Sequence, residues 1–459
     1  MRDTVVFDAD HTDRPSCTRL YLDPEAVLRF AIDDRPHTLT VAGPIESYGV
    51  IQLDGTQSPR SSIELRVIDD GSGPPRTLRL MQNSSLLAYG LKAAADGHKN
   101  VRLSAAAADR KPARPLVIAA DHDVMIDMQD IALVNVALKL QSLDNTGAKA
   151  SERLNLIGNR FSGSSHLELA NCDTPTLRNN VFASAQRINH SAMQLNNCKL
   201  AEIHGNRILG NYVTGLMVHT DVDSAFIGNA IQNCATGVHW IGQNAMIRHN
   251  TITDCEQRGI ILHQSTGSVE HTTVAGSATA FHVTDSQVQF TTCGADDLAD
   301  DAHAMSAANS TVALINCNLT DDRITLSRNS TVQAMAYLVV QVGGDHPERT
   351  QVQVQTAPVS GGVPKNKADL NVRNAPAHLD PEGRTPLPGT MRPLTVRSWK
   401  LSKKNNRENA PFYDLIVIAP PEEGQSSPRT LHKQLIEPAD DWYRPDPNRG
   451  EPTIKVDMK

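Results

Sequence analysis

The segments LNLIGNRF (154–161), TLRNNVF (176–182), EIHGNRI (202–208), AFIGNAI (225–231) and MIRHNTI (246–252) are variations on one short pattern. Aligned, they bring Asn159, Asn180, Asn206, Asn229 and Asn250 into one column. Two places later comes an apolar residue: Phe161, Phe182, Ile208, Ile231 and Ile252. About ten residues further on, HLEL, AMQL, GLMV, GVHW, GIIL and AFHV alternate apolar and variable residues. The repeat recurs every 20 to 26 residues or so between about 154 and 330. Self-similarity at this period, with short alternating strands and turns of Gly, Asn, Ser and Asp, marks a stack of coils. One turn of a right-handed parallel β-helix takes about this many residues, so each repeat is read as one coil stacked on the next. The fold predicted is all-β: a right-handed, single-stranded parallel β-helix with an irregular N-terminal cap and a Pro-rich C-terminal extension.

Composition agrees with a thin core. Aromatics are 4 % of the 459 residues, and the formal net charge is −7. No strongly basic tract argues for a nucleic-acid partner, and no apolar run of about 18 residues predicts a membrane span. Residues 1–15 contain no apolar stretch and so no secretion signal. As written, the chain reads as cytoplasmic; if a leader was removed, it is extracellular or periplasmic. Of the seven cysteines, Cys172 and Cys198 share one repeat position, as do Cys234 and Cys255. Side chains in a parallel ladder point the same way, which is poor bridging geometry, so they are read as reduced core residues.

Residues 1–115 contain strand-like runs with irregular connections (TLTVAG, GVIQLDG, SIELRVID, TLRLMQ, NVRLSA), read as early coils or a cap. The regular helix is placed at 116–344. Beyond it, 345–459 carries most of the 26 prolines, with LTVRSWKLS and PFYDLIVIAP as its strand-like stretches. It is read as an extended tail with a small β-hairpin; a disordered linker or partner-docking arm is the alternative.

With Leu167/Leu169, Met193/Leu195, Leu216/Val218, Val238/Trp240, Ile260/Leu262 and Phe281/Val283 facing inward, the outward residues form two columns. One runs Glu168, Gln194, Met217, His239, Ile261, His282; the other runs Ala170, Asn196, His219, Ile241, His263, Thr284. The four histidines stand on diagonals, with β-carbons roughly 8 Å apart, too far for one ion to gather more than two of them. No metal and no cofactor are therefore predicted. A polar strip is the functional reading, with Gln194, Asn196, His239, Arg258, His263 and His282 binding the ligand; histidines tolerated on a half-exposed face are the plain one. In NYVTGLMVHTDVDS (211–224), Tyr212, His219, Asp221 and Asp223 fall near one outward edge. His219, Tyr212 and Asp221 are the candidate catalytic set for moving the proton beside a sugar carboxylate. Asp221 and Asp223 also suit a plain turn, as do Asp121 and Asp123 around His122.

The repeated G-φ-x-φ…φ-x-x-N-x-φ layout over about 120–340 resembles the pectate-lyase-like β-helix superfamily, and within it the repeats of mannuronan C5-epimerases. Those epimerases carry an exposed tyrosine-glycine-phenylalanine strand followed by Asp-Pro-His-Asp. Thr214-Gly215-Leu216-Met217-Val218-His219-Thr220 is the nearest match, with His219 on the family's histidine. Met217 and Thr220 stand at the acidic positions, and Thr214 at the tyrosine. The resemblance implies binding or processing of an extended, acidic polysaccharide by lyase- or epimerase-like chemistry. The alternative is a non-catalytic structural or adhesive solenoid whose tail docks a partner.

Overall fold

The computed structural model describes residues 4–7, 16–30, 34–57, 60, 62–71, 73–92, 99–108, 113–120, 122–141, 154–220, 224–343, 349–356, 377–380, 382, 384–386, 394–402, 406–409, 413–419, 429–439, 442 and 451–457. The chain separates into two compact units. One is Met1–Gly267 with Thr272–His282 and Asp296–His303; the other is Ser268–His271 with Val283–Ala295 and Ala304–Lys459.

In the first unit, each coil gives one strand to each of three parallel sheets in turn. The second sheet carries the inward column Phe161, Phe182, Ile208, Ile231, Ile252 and Val274. Phe161 and Phe182 stack at 4.2 Å between ring centroids. The Asn column lies at the turn entering this sheet, and every member is at most 2 % exposed. Its hydrogen bonds explain why Asn is needed there. The backbone N–H groups of Asn159, Asn180, Asn206 and Asn229 each donate to the side-chain Oδ1 of the next Asn, at 2.8–3.0 Å. Each Asn Nδ2 donates to a carbonyl of the preceding coil, as Asn206 does to Leu177 O at 2.8 Å. One amide side chain thus satisfies a donor and an acceptor that the turn would otherwise leave buried and unpaired. The residue before the Asn is left-handed, at Gly158, Asn179, Gly205, Gly228 and His249. This accounts for the Gly and Asn in that column.

A second device explains the Gly in GLMV, GVHW and GIIL. A Cβ at Gly237 would lie 2.6 Å from Ile252 Cγ2 and 2.5 Å from the Gly259 carbonyl. Gly at these positions lets the third sheet pass this close to the core column.

The third sheet positions the candidate site. Its strands pair in parallel in the order Leu20–Leu22, Ile45–Ser47, Thr77–Leu80, Leu116–Ala120, Val136–Gln141, His166–Ala170, Ile188–Asn196, Tyr212–His219, Thr236–Ile241 and Arg258–His263. The described early chain therefore forms coils of the same three sheets. Leu116–Ala120 pairs on both sides, so the sheet runs straight through the expected boundary at 115. Cys172, Cys198, Cys234 and Cys255 are buried free thiols.

The second unit holds the parallel run Gln287–Thr291, Thr311–Ile315 and Thr331–Gly343. Thr331–Gly343 then pairs antiparallel with Leu394–Ser402 and parallel with Thr453–Asp457. Gln351–Thr356 lies between Ala377–His378 and Tyr413–Ala419, and Arg429–Ile436 completes a four-stranded antiparallel sheet. Leu338, Val340, Val352, Val396, Tyr413 and Val417 share its core. Among the described residues after 345, these strands form a packed β structure.

Candidate functional site

The pairing register builds two outward rows on the third sheet. One runs Tyr21, Glu46, Arg79, Ala119, Lys139, Glu168, Gln194, Met217, His239, Ile261. Ten coils at about 4.8 Å each give a row roughly 43 Å long. Beside it run Gln141, Ala170, Asn196, His219, Ile241 and His263. Gln194, Asn196, His239 and His263 are half-buried, while His219 and Arg258 are exposed. The apolar residues between them are buried, from Leu167 to Leu262. His282 lies on Thr279–Thr284, the next strand of this sheet, and is also half-buried.

The two ends of the strip differ in charge. At one end, burial holds the His239 and His282 imidazoles below the ordinary histidine range, and Arg258 and the neighbouring histidines add to this. At the other end a carboxylate sits among cations. Glu168 Oε1 is 3.3 Å from His166 Nε2 and 3.9 Å from His190 Nδ1. Lys139 Nζ lies 3.0 Å from both carboxylate oxygens. His166 first, then Lys139, hold the Glu168 carboxyl down to about 2. The His166 and His190 rings stack at 4.5 Å between centroids, 10° from parallel. Burial, then His166, lower His190 despite the opposing pull of Glu168. A cavity of about 540 Å³ is lined by Asn135, Arg160, Ser162, Ser184, Gln186 and by Ser164, whose carbonyl contacts His166 Nδ1 at 3.1 Å.

Of the candidate catalytic set, the structure exposes His219 and buries Tyr212. Tyr212 is 1 % exposed, and its hydroxyl donates to the Ser165 carbonyl at 3.1 Å. Burial raises its pKa above the ordinary phenol range. It has the parity of the inward Leu216 and Val218 and not that of Met217 and His219, so the ring packs inside the coil instead of at the edge. Asp221 and Asp223 lie outside the described residues, as does Asp121. Asp123 has a φ of 58°, the left-handed turn conformation. Thr220 is 2 % exposed and donates to Cys198 O at 3.3 Å.

Sequence reasoning missed His166 and His190. The signal for His166 was a break in the small-residue column. The residue before the first inward apolar is Ala192, Gly215, Gly237, Gly259 and Ala280 in five coils, but His166 in this one. His190 was hidden by a register shift between Ile188 and Ser191.

A family model described as "Right handed beta helix region" matches residues 191–336. The chain has the right-handed parallel β-helix fold that this description names. A second model, described as "Periplasmic copper-binding protein (NosD)", matches residues 118–246 of this β-helix protein. No curated protein matches it. Among solved structures, the Siphovirus 9NA tailspike receptor binding domain aligns over 94 % of this chain and 98 % of its own, at 10 % identity and a TM-score of 0.36. That superposition is too loose to carry an argument. Among the described residues, no helix is long and apolar enough to cross a membrane.

Proposed function

We propose that this β-helix protein binds an extended, acidic polysaccharide along the third sheet, with Gln194, Asn196, His219, His239, Arg258, His263 and His282 as contacts. One observation carries the reading. The outward rows are continuous, and the charged groups that shift His239 and His282 are Arg258 and other histidines, all positive when charged. An anionic chain with a regular repeat matches a ladder of such groups. His219 is the proposed acid–base group for a lyase or C5-epimerase step. We leave the buried Tyr212 out of that step and keep Asp221 as the candidate second group. We extend the proposal to a periplasmic location, the compartment named in the NosD description.

Calorimetric titration of the full chain with uronate oligomers, beside neutral oligomers, tests this. Saturable binding of the uronate series is expected, weakened about tenfold by His239→Ala with His263→Ala, the loss of about two weak polar contacts. Equal or absent binding of both series contradicts it and favours the structural solenoid. Product analysis for unsaturated or epimerised sugar tests the chemistry separately.

The copper named in the second description has a donor set to consider here. Among the described residues, His166, Glu168 and His190 bring three ligand atoms within 4.8 Å of one another. The buried His166 Nε2 has no hydrogen-bond partner. Two imidazole nitrogens with a carboxylate oxygen suit Cu(II) or Zn(II), so the residues fit.

A further inference from the structure

We infer that His166, Glu168 and His190 form a binding site for a divalent transition-metal ion. The inference stands apart from the polysaccharide reading, which uses other residues of the same sheet.

The argument starts from His166, which is 2 % exposed. Its Nδ1 lies 3.1 Å from the Ser164 carbonyl. A carbonyl only accepts, so Nδ1 carries the proton and donates it. That fixes the tautomer and leaves Nε2 as the free nitrogen, in the manner of metal-binding histidines held by a backbone carbonyl. Nε2 faces Glu168 Oε1 at 3.3 Å without the geometry of a hydrogen bond. A bare nitrogen and a carboxylate oxygen repel unless a cation stands between them, and the proton through which His166 holds the Glu168 carboxyl down is one such cation. A proton on Nε2 is badly aligned for that role. A metal ion is not bound by the same line, and it gathers a third donor from His190 Nδ1, 3.9 Å from the same oxygen.

The stacked rings show what must move. Lone pairs of parallel imidazoles do not converge, so one ring has to turn to bind. His166 is buried and tethered, whereas the His190 side chain is 54 % exposed and rotates without disturbing the core. Lys139 is the built-in competitor. Its ammonium shares the Glu168 carboxylate, and its side chain is 39 % exposed, so it withdraws to solvent or keeps Oε2 while the ion takes Oε1.

The test is equilibrium dialysis and calorimetry of the full chain with Cu(II) and Zn(II), with copper paramagnetic resonance as a second readout. One equivalent is expected, with a nitrogen hyperfine pattern from two imidazoles. His190→Ala and Glu168→Gln should each weaken binding about tenfold or more, the scale seen on disturbing ligand surroundings. Lys139→Met should tighten it, and His263→Ala should leave it unchanged. His190→Ala decides the matter should Glu168→Gln fail to fold, because His190 is exposed. Absence of stoichiometric binding, or equal weakening by His263→Ala and His190→Ala, overturns the inference.

Discussion

The two ends of one sheet carry the same residue type in opposite surroundings. Around His239 and His282, burial first and then Arg258 and other imidazoles suppress protonation. Around His166 and His190 a single carboxylate, Glu168, gathers two rings and a lysine. Both ends rest on the same ladder of strands. The difference shows that stacking sets where histidines stand, while one neighbouring residue in the column sets what they can do. An end made of an arginine and imidazoles that can take up protons suits an anionic ligand; a carboxylate-centred end suits a cation.

The largest effect comes from breaking the ladder that both ends share. Asn206→Ala removes an acceptor for the Asn180 N–H and a donor to Leu177 O, both buried. Leaving two such groups unpaired should cost about 2–4 kcal/mol, read by chemical denaturation. A change below about 0.5 kcal/mol would mean that the amide column does not hold the coils in register.

Glu168→Gln should erase the contrast at one end. The Glu168 carboxyl is held near 2, against an ordinary value of 4.5. A depressed carboxylate stabilises the fold above its unfolded value and loses that contribution as pH falls through the folded value. Wild type should therefore exceed the variant by about 1 kcal/mol at pH 7, a partly exposed pair's worth. The gap should narrow from pH 4.5 and close near pH 2. A gap independent of pH would contradict the assignment.

The converse change sharpens the comparison. Ile261 follows His239 in the outward row, and Ile261→Glu brings a carboxylate to the cation-rich end. The His239 and His282 titrations, followed by proton resonance, should rise by about one unit. Unmoved titrations would show that burial alone governs them.

A smaller effect concerns ligand binding. His239 and His282 gain protons only below the ordinary 6.5, and a bound anion favours the protonated form. Affinity for a uronate oligomer should climb as pH falls from 7 to 5, by at most about tenfold per unit for each proton taken up. Flat affinity would separate the ligand from these imidazoles.

The coils were legible because their causes are local. Asn159 to Asn250 must supply a side-chain amide at a tight turn, and Gly237 must leave room for Ile252. Such constraints recur at every repeat and so appear as columns. The inward pairs and the Gln194, His219, His239 and His263 rows followed from period-two alternation. The burial of Tyr212 was legible too, since it shares the even parity of the inward Leu216 and Val218. His166 and His190 depend on a column break and a register shift, features that repeat averaging hides. The second unit's antiparallel sheet was illegible for another reason. Gln351–Thr356 and Tyr413–Ala419 pair across a long separation, and no local pattern announces the partner.

The central claim is that stacked coils turn distant histidines into one ligand track. Resonance-monitored titration of the histidine side chains with a uronate oligomer tests it directly. The account predicts saturable shifts of His219, His239, His263 and His282 with one common affinity, and none at His37 or His122. Shifts confined to histidines off the third sheet, or none at all, would contradict it.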